Sequence, residues 1–296
     1  MGGIGFYWPA AIESCPIRKD SHKSPMPELP EVETTLRGIG PCVIAQPVTD
    51  VIIRQHRLRW PIPRGLKNNL CNQTLRGLAR RGKYILFHFD NGTLLLHLGM
   101  SGRLRILSEP AAAGKHDHAD IHFAGRHILR FTDPRRFGAL LWTTENPFQH
   151  PLLADMGPEP LTPDFHGQYL WAQARGRKAP VKAYIMDSKT VAGVGNIYAT
   201  EALFHSGIRP QTAAGKVSLA QYQKLADAIK NVLENAVRKG GTTLKDFMQS
   251  DGSPGYFSIE LQAYGRAGEP CVHCETTLKL IRTGQRSSVY CPVCQK

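Results

Sequence analysis

Tyr84-Ile85-Leu86-Phe87-His88-Phe89-Asp90-Asn91-Gly92-Thr93-Leu94-Leu95-Leu96-His97-Leu98 places two apolar runs on either side of an Asn-Gly turn signal. Asn-Gly tolerates the positive φ angles that a tight hairpin turn demands, so the stretch predicts a β-hairpin. Working outward, branched residues recur through 43–57, and further strands fit 103–107, 119–123, 128–131 and 139–142. Many short strands separated by turns predict a sandwich or barrel that ends near residue 145. Upstream of it, residues 29–39 predict a short helix, ended by Gly40-Pro41.

Beyond the strands the periodicity changes. A Pro-rich stretch over 146–163 reads as an interdomain linker, and a helical pattern follows. Its clearest segment opens on a capping box, Ser218-Leu219-Ala220-Gln221. Leu219, Tyr222, Leu225, Ala226, Ile229, Leu233 and Val237 then fall on one face, and Gly240-Gly241 closes the helix. That apolar stripe is core. Residues 1–25 show no sustained periodicity and read as disordered or as an extension upstream of the true start.

Charge narrows the class of partner. The 296 residues carry 37 Lys+Arg against 24 Asp+Glu, a net charge of +13, which favours a polyanion, nucleic acid first and anionic membrane second. No stretch reaches the ~20 apolar residues of a membrane-spanning helix, and the first twenty residues make a poor signal peptide. Of seven cysteines, four form two CxxC pairs, Cys271/Cys274 and Cys291/Cys294, sixteen residues apart. An odd cysteine count with this spacing fits a reducing compartment and a metal site better than a disulfide scaffold. Four thiolates complete a closed tetrahedral shell, so the expected ion is one structural zinc that also supplies the folding energy of a small tail. His273 lies inside the first pair as a bystander. The intervening hairpin carries Lys279, Arg282 and Arg286, which spacing alone reads equally as a DNA-reaching tip or a solvated basic surface.

One further set of residues carries more than spacing. Pro27-Glu28-Leu29-Pro30-Glu31-Val32-Glu33-Thr34 resembles the N-terminal signature of bacterial formamidopyrimidine-DNA glycosylase once an initiator Met26 is removed. The resemblance continues through His97-Leu98-Gly99-Met100-Ser101-Gly102, Lys115-His116-Asp117-His118 and Thr132-Asp133-Pro134-Arg135-Arg136-Phe137-Gly138. Gly193-Val194-Gly195-Asn196-Ile197-Tyr198-Ala199, Gly240-Gly241-Thr242-Thr243-Leu244-Lys245-Asp246-Phe247 and the cysteine tail complete it, in order, over 27–296. The endonuclease VIII relatives resemble the chain less, because they open with Pro-Glu-Gly-Pro and lack the form seen at Asp133–Gly138.

The resemblance implies an α+β multidomain protein. A 1–26 extension would be disordered or absent from the mature protein, and an N-terminal β-sandwich with flanking helices would follow over 27–145. The linker spans 146–163, a helix–two-turn–helix DNA-binding domain 164–258, and a zinc-finger β-hairpin 259–296. The implied partner is double-stranded DNA containing an oxidised purine, 8-oxoguanine or a formamidopyrimidine, opposite cytosine. The implied protein is a monomer that binds no membrane and uses no organic cofactor.

The resemblance also assigns roles. Pro27 is the implied nucleophile, forming a Schiff base with the sugar. An α-amine, with a reference pKa of roughly 7.7–8.0, is far more often unprotonated at neutral pH than a lysine at ~10.4. Glu28 is the implied acid for ring opening and proton transfer. Lys83 and Arg286 are implied in β- and δ-elimination, which leave a one-nucleotide gap with phosphate ends. Met100, Arg135 and Phe137 match residues that fill the stack after the target nucleotide is flipped out. His116, Arg177 and Asn196 match DNA contacts, with Asn196 in a Gly-rich turn that offers free amides to a phosphate. The family often has Lys where Arg177 stands. The segment 250–257 matches a loop that closes over the lesion. Were residues 1–26 to remain attached, the Pro27 nitrogen would be a tertiary amide, and the chain could be a non-catalytic lesion-binding protein. A zinc-ribbon transcription or RNA-binding factor would explain the tail but would leave Pro27-Glu28 idle.

Overall fold

A computed structural model describes residues 27–240, 261–283 and 286–296. The extension over 1–26, the 241–247 motif and the 250–257 loop therefore lie outside the described residues. Helix α1 (Leu29–Val43) opens the chain, followed by β1 (Val48–Ile53) and the short α2 (Leu66–Leu70). Seven strands come next: β2 (Gly77–Arg81), β3 (Tyr84–Phe89), β4 (Gly92–His97), β5 (Arg103–Leu107), β6 (Asp117–Phe123), β7 (Ile128–Thr132) and β8 (Ala139–Thr143). With β1 they form two four-stranded antiparallel sheets, ordered β1-β6-β7-β5 and β2-β3-β4-β8. Their inner faces share one core that includes Val51, Ile85, Phe87, Leu94, Leu96, Leu104, Ile121 and Phe131.

The hairpin expected over 84–98 is β3–β4, but its turn is shifted by one residue. Phe89 pairs with Gly92, so Asp90-Asn91 forms the two-residue loop and Gly92 begins the strand. Both strands are buried on both faces, which explains a near-continuous apolar run where a half-buried strand would alternate. Leu152, Leu153 and Met156 supply the second cover, packing on Tyr84, Leu86 and Leu95. The Pro-rich 146–163 segment thus closes the outer face of a sheet. Glu159 fixes it further by pairing with Arg80 and Arg81, while Arg81 also donates to the carbonyls of Met156 and Gly157 at 2.8 Å each.

Two further sequence expectations need adjusting. Helix α1 runs through Pro41 to Val43, because a proline this close to the helix end forfeits little while Ile39 and Val43 are fully buried. The branched stretch 43–57 yields only β1. Strand β2 and helix α2 carry weak local patterns and escaped the reading. The 218–240 helix, by contrast, stands as expected: α6 (Leu219–Gly240) is capped by Ser218 and Gln221, each side chain accepting from the other's backbone amide at 3.3 and 2.9 Å.

Helices α3 (Gly167–Ala174), α4 (Val181–Met186), α5 (Asn196–Ser206) and α6 enclose a second core around Tyr198, Leu203, Tyr222, Leu225 and Leu233. Helix α1 bridges the two cores. Leu29 belongs to the helical cluster, whereas Val32, Ile39 and Val43 belong to the sandwich. Strands β9 (Lys279–Thr283) and β10 (Arg286–Tyr290) form the C-terminal hairpin, which packs through Phe204 onto α5.

Candidate active site and zinc centre

The start of α1 and the start of α5 meet head to head. Glu28 is the N-cap of α1, and its own amide donates to Glu31 Oε2 at 2.8 Å. Its side chain is buried and accepts from the amides of Ile197 at 3.0 Å and Tyr198 at 3.5 Å, in the first turn of α5. Gly195 makes this approach possible, since a Cβ there would overlap the Glu28 carboxyl group. The Gly-rich turn therefore admits a carboxylate of the same chain. The α5 amides that the sequence reading offered to a phosphate are already occupied, because a helix N-terminus attracts whichever anion lies nearest.

Burial dominates the electrostatics of this junction. It raises the Glu28 carboxyl, while the Lys83 ammonium and the α5 amides pull it back. Burial also raises Glu31, opposed first by the Tyr198 hydroxyl, which donates to Glu31 Oε1 at 2.6 Å. Lys83, in the β2–β3 turn, is lowered by burial; Glu28 opposes this, and Arg286 adds to it. Of the four expected catalytic residues, Lys83 thus interacts with both Glu28 and Arg286, and Pro27 adjoins Glu28. An acid raised and a base lowered in one cluster is the pattern of groups that exchange protons near neutral pH.

Around this junction stand groups that the sequence reading missed. His97, whose ring lies tilted against Tyr84 at 4.6 Å, is lowered to about 4 by burial and by Lys83, so it stays neutral and accepts the Gly99 amide on Nδ1 at 2.9 Å. Lys182 is wholly buried in α4, where its Nζ donates to Thr200 Oγ1, Ser287 O and Ser288 Oγ at 2.8–3.0 Å. Burial lowers it to about 8. It fastens the zinc hairpin to the helical core. Glu201 on α5 accepts the successive amides of Gln262, Ala263 and Tyr264 at 2.7–2.9 Å and performs the same service for the start of the tail. Only Glu31 had a local signal, the Glu-x-x-Glu spacing of a capping box.

The expected DNA contacts divide into groups. Asn196 opens α5 beside Tyr264, whose phenol is raised by burial and by Glu28 and opposed by the Asn196 side chain. Met100, His116, Arg135 and Phe137 lie on turns and loops at the sandwich rim; His116, Arg135 and Phe137 are exposed, and the Arg135 guanidinium sits 5.0 Å over the Phe137 ring. Arg177 stands apart from these. It is exposed, donates to Gln173 O at 2.9 Å and lies 5.4 Å over Tyr184.

In the tail, the sulfurs of Cys271, Cys274, Cys291 and Cys294 all lie within 4.8 Å of one another. Separations of 3.9, 3.5 and 3.4 Å for three of the pairs bracket the roughly 3.8 Å edge of a tetrahedron built on zinc–thiolate bonds. Cys271 and Cys291 are buried, and among the described residues no His or carboxylate joins the cluster. The donor set is a closed shell of thiolates, which suits structural zinc. His273 points elsewhere and stacks on Phe204 at 5.2 Å.

Family models match almost the whole chain from residue 26 onward. The formamidopyrimidine-DNA glycosylase N-terminal domain matches residues 26–140, the H2TH domain of the same enzyme 156–248, and the zinc finger found in FPG and IleRS 268–296. The chain belongs to the formamidopyrimidine-DNA glycosylase family. The Psychromonas ingrahamii formamidopyrimidine-DNA glycosylase is 55% identical over 270 residues, which is 91% of this chain and 100% of that protein. The Pseudomonas aeruginosa protein of the same name is 54% identical over 271 residues, 92% of this chain and again 100% of its own length. Among solved structures, the Lactococcus lactis formamidopyrimidine-DNA glycosylase bound to Fapy-dG containing DNA superposes with a TM-score of 0.81 at 31% identity. A MutM complex with carbocyclic 8-oxo-G containing DNA gives 0.82 at 31%. Each covers 91% of this chain and 100% of the solved one. The glycosylase-type fold of sandwich, helical domain and zinc hairpin is thereby shown, as is the zinc-finger tail.

Proposed function

We propose that this chain is a base-excision repair glycosylase that removes 8-oxoguanine and formamidopyrimidines from duplex DNA and then cuts the strand. Family membership carries the glycosylase class. The observation that carries the mechanism is the buried Glu28 carboxyl, one residue from Pro27 and under the influence of Lys83, on which Arg286 acts in turn. Mere lesion binding would have no use for a carboxyl group held above its ordinary range.

In the reaction, the Pro27 nitrogen attacks C1′ of the flipped nucleotide and the glycosidic bond breaks, the base leaving with a proton. Glu28 supplies the proton that opens the sugar ring, and the secondary amine becomes an iminium at C1′. Loss of the C2′ proton then expels the 3′ phosphate, and a second elimination expels the 5′ phosphate. Lys83 and Arg286 hold the phosphates in these two steps, and Lys83 also transfers protons in the elimination. Met100, Arg135 and Phe137 fill the space left by the flipped nucleotide, with Arg135 reading the orphaned cytosine, while His116, Arg177 and Asn196 hold the backbone. The protein acts as a monomer, with domains over 27–145, 164–258 and 259–296.

The reading requires a free Pro27 nitrogen, obtained by initiation at Met26 and removal of that methionine. Protein whose intact mass begins at Pro27 is incubated with a duplex carrying 8-oxoguanine opposite cytosine. The expected product is a one-nucleotide gap with phosphate on both ends. Base release without strand cleavage, or equal activity from protein that retains residues 1–26, contradicts the reading.

A further inference from the structure

The loops bearing Met100, Arg135 and Phe137 converge on a carboxylate that the chemistry above does not use. Asp133, just past β7, is wholly buried. Its Oδ1 accepts from Ser101 Oγ at 2.7 Å and from the Arg135 amide at 3.3 Å, and its Oδ2 accepts from the Gly138 amide at 2.8 Å. Ser101 Oγ also accepts from the Arg135 amide, at 3.1 Å, which closes a ring between the neighbour of Met100 and the turn that holds Arg135 and Phe137. The backbone of Asp133 extends the junction to a third loop. Its amide donates to the His116 carbonyl at 3.0 Å, and its carbonyl accepts from His118 Nε2 at 2.7 Å.

The two rim turns are also in direct contact. Gly99 sits at φ +68°, and a Cβ there would overlap the Phe137 carbonyl carbon and the Gly138 nitrogen. Nothing but hydrogen can stand between the backbones. Phe137 remains 41% exposed, with the Arg135 guanidinium already stacked on it. The rim therefore presents a pre-assembled apolar and cationic edge whose parts are fastened from beneath at a single point.

We propose that Asp133 is a positioning residue that sets Met100 against Arg135 and Phe137, so that the three enter DNA as one wedge and Arg135 discriminates the base opposite the lesion. The inference rests on the reading of those three residues as fillers of the vacated stack. A carboxylate is acceptor-only and matches the three donors aimed at it, whereas an amide in its place turns an N–H toward one of them. Base-edge hydrogen bonds tolerate only a few tenths of an ångström, so a loosened turn loses discrimination before it loses non-specific phosphate attraction.

The test is binding, which leaves Pro27 out of account. Zinc-loaded protein is titrated with duplexes carrying a tetrahydrofuran abasic analogue opposite cytosine or opposite adenine. Unaltered protein prefers cytosine; Asp133→Asn lowers the preference ratio by about tenfold, and Ser101→Ala lowers it less. A merely structural role would weaken both complexes alike and leave the ratio where it was. Arg135→Ala separates the role of Asp133 from that of the wedge. If it lowers the ratio while Asp133→Asn and Ser101→Ala do not, the role of Asp133 is overturned and the wedge survives. If Arg135→Ala leaves the ratio unchanged, the wedge fails and the inference with it. Should Asp133→Asn melt below the assay temperature, Ser101→Ala decides alone.

Discussion

On the proposed mechanism Glu28 ties catalysis to stability at the scale of one residue. Burial raises its carboxyl above the ordinary 4.5, so between that value and the raised one the folded protein binds more protons than the unfolded chain. Stability contributed by this group is therefore full below 4.5 and is lost as pH climbs through the folded value. Glu28→Gln removes the charge but keeps an oxygen for the Ile197 amide. It is expected to raise the melting temperature by roughly 2 °C at pH 8, with the gain vanishing near pH 4.5, while excision falls at least about 100-fold. Parallel melts and excision assays across that range check both halves; a variant that melts lower at pH 8, or excises normally, contradicts the assignment. The sequence made Glu28 legible only through its motif. Lys182 was not legible at all, because its acceptors Ser287 and Ser288 lie 105 and 106 residues away.

Among the elements, the β3–β4 hairpin and α6 were the most readable, since each carries its own turn or cap within a few residues. Strand β2 has no such punctuation, and its identity comes from pairing with β3. The Gly193–Asn196 turn was recognised as a ligand-approach device, but which anion approaches could not be read locally, because Glu28 precedes Ile197 by 169 residues. The zinc hairpin is the element whose spacing said most. Besides the metal, Lys182 ties it to α4, and Arg209 donates to the carbonyls of Gln295 and Pro292 at 2.9 and 3.0 Å. Replacing Cys291 with Ser should release zinc, free β9–β10 from those anchors and weaken lesion-duplex binding at least about tenfold. Zinc analysis with a binding titration tests this, and unchanged affinity in zinc-free protein would show that the hairpin holds its place without metal.

For the molecule as a whole, the site exists only because two cores meet. Leu29 lies in the helical core, and Val32, one turn on, lies in the sandwich. Glu28 therefore sits at the seam, with Lys83 from one side, the α5 amides from the other and Arg286 from the tail. The net charge of +13 brings this seam to DNA, and no described helix is long and apolar enough to cross a membrane. On the proposed mechanism the whole arrangement serves one atom, the nitrogen of Pro27. Borohydride reduction of the reaction on a duplex with 8-oxoguanine opposite cytosine, followed by digestion and mass mapping of the trapped adduct, examines that atom directly. The account predicts a covalent sugar adduct on the amino-terminal peptide, at Pro27. An adduct on a lysine, or equally efficient trapping by protein still carrying residues 1–26, would contradict it.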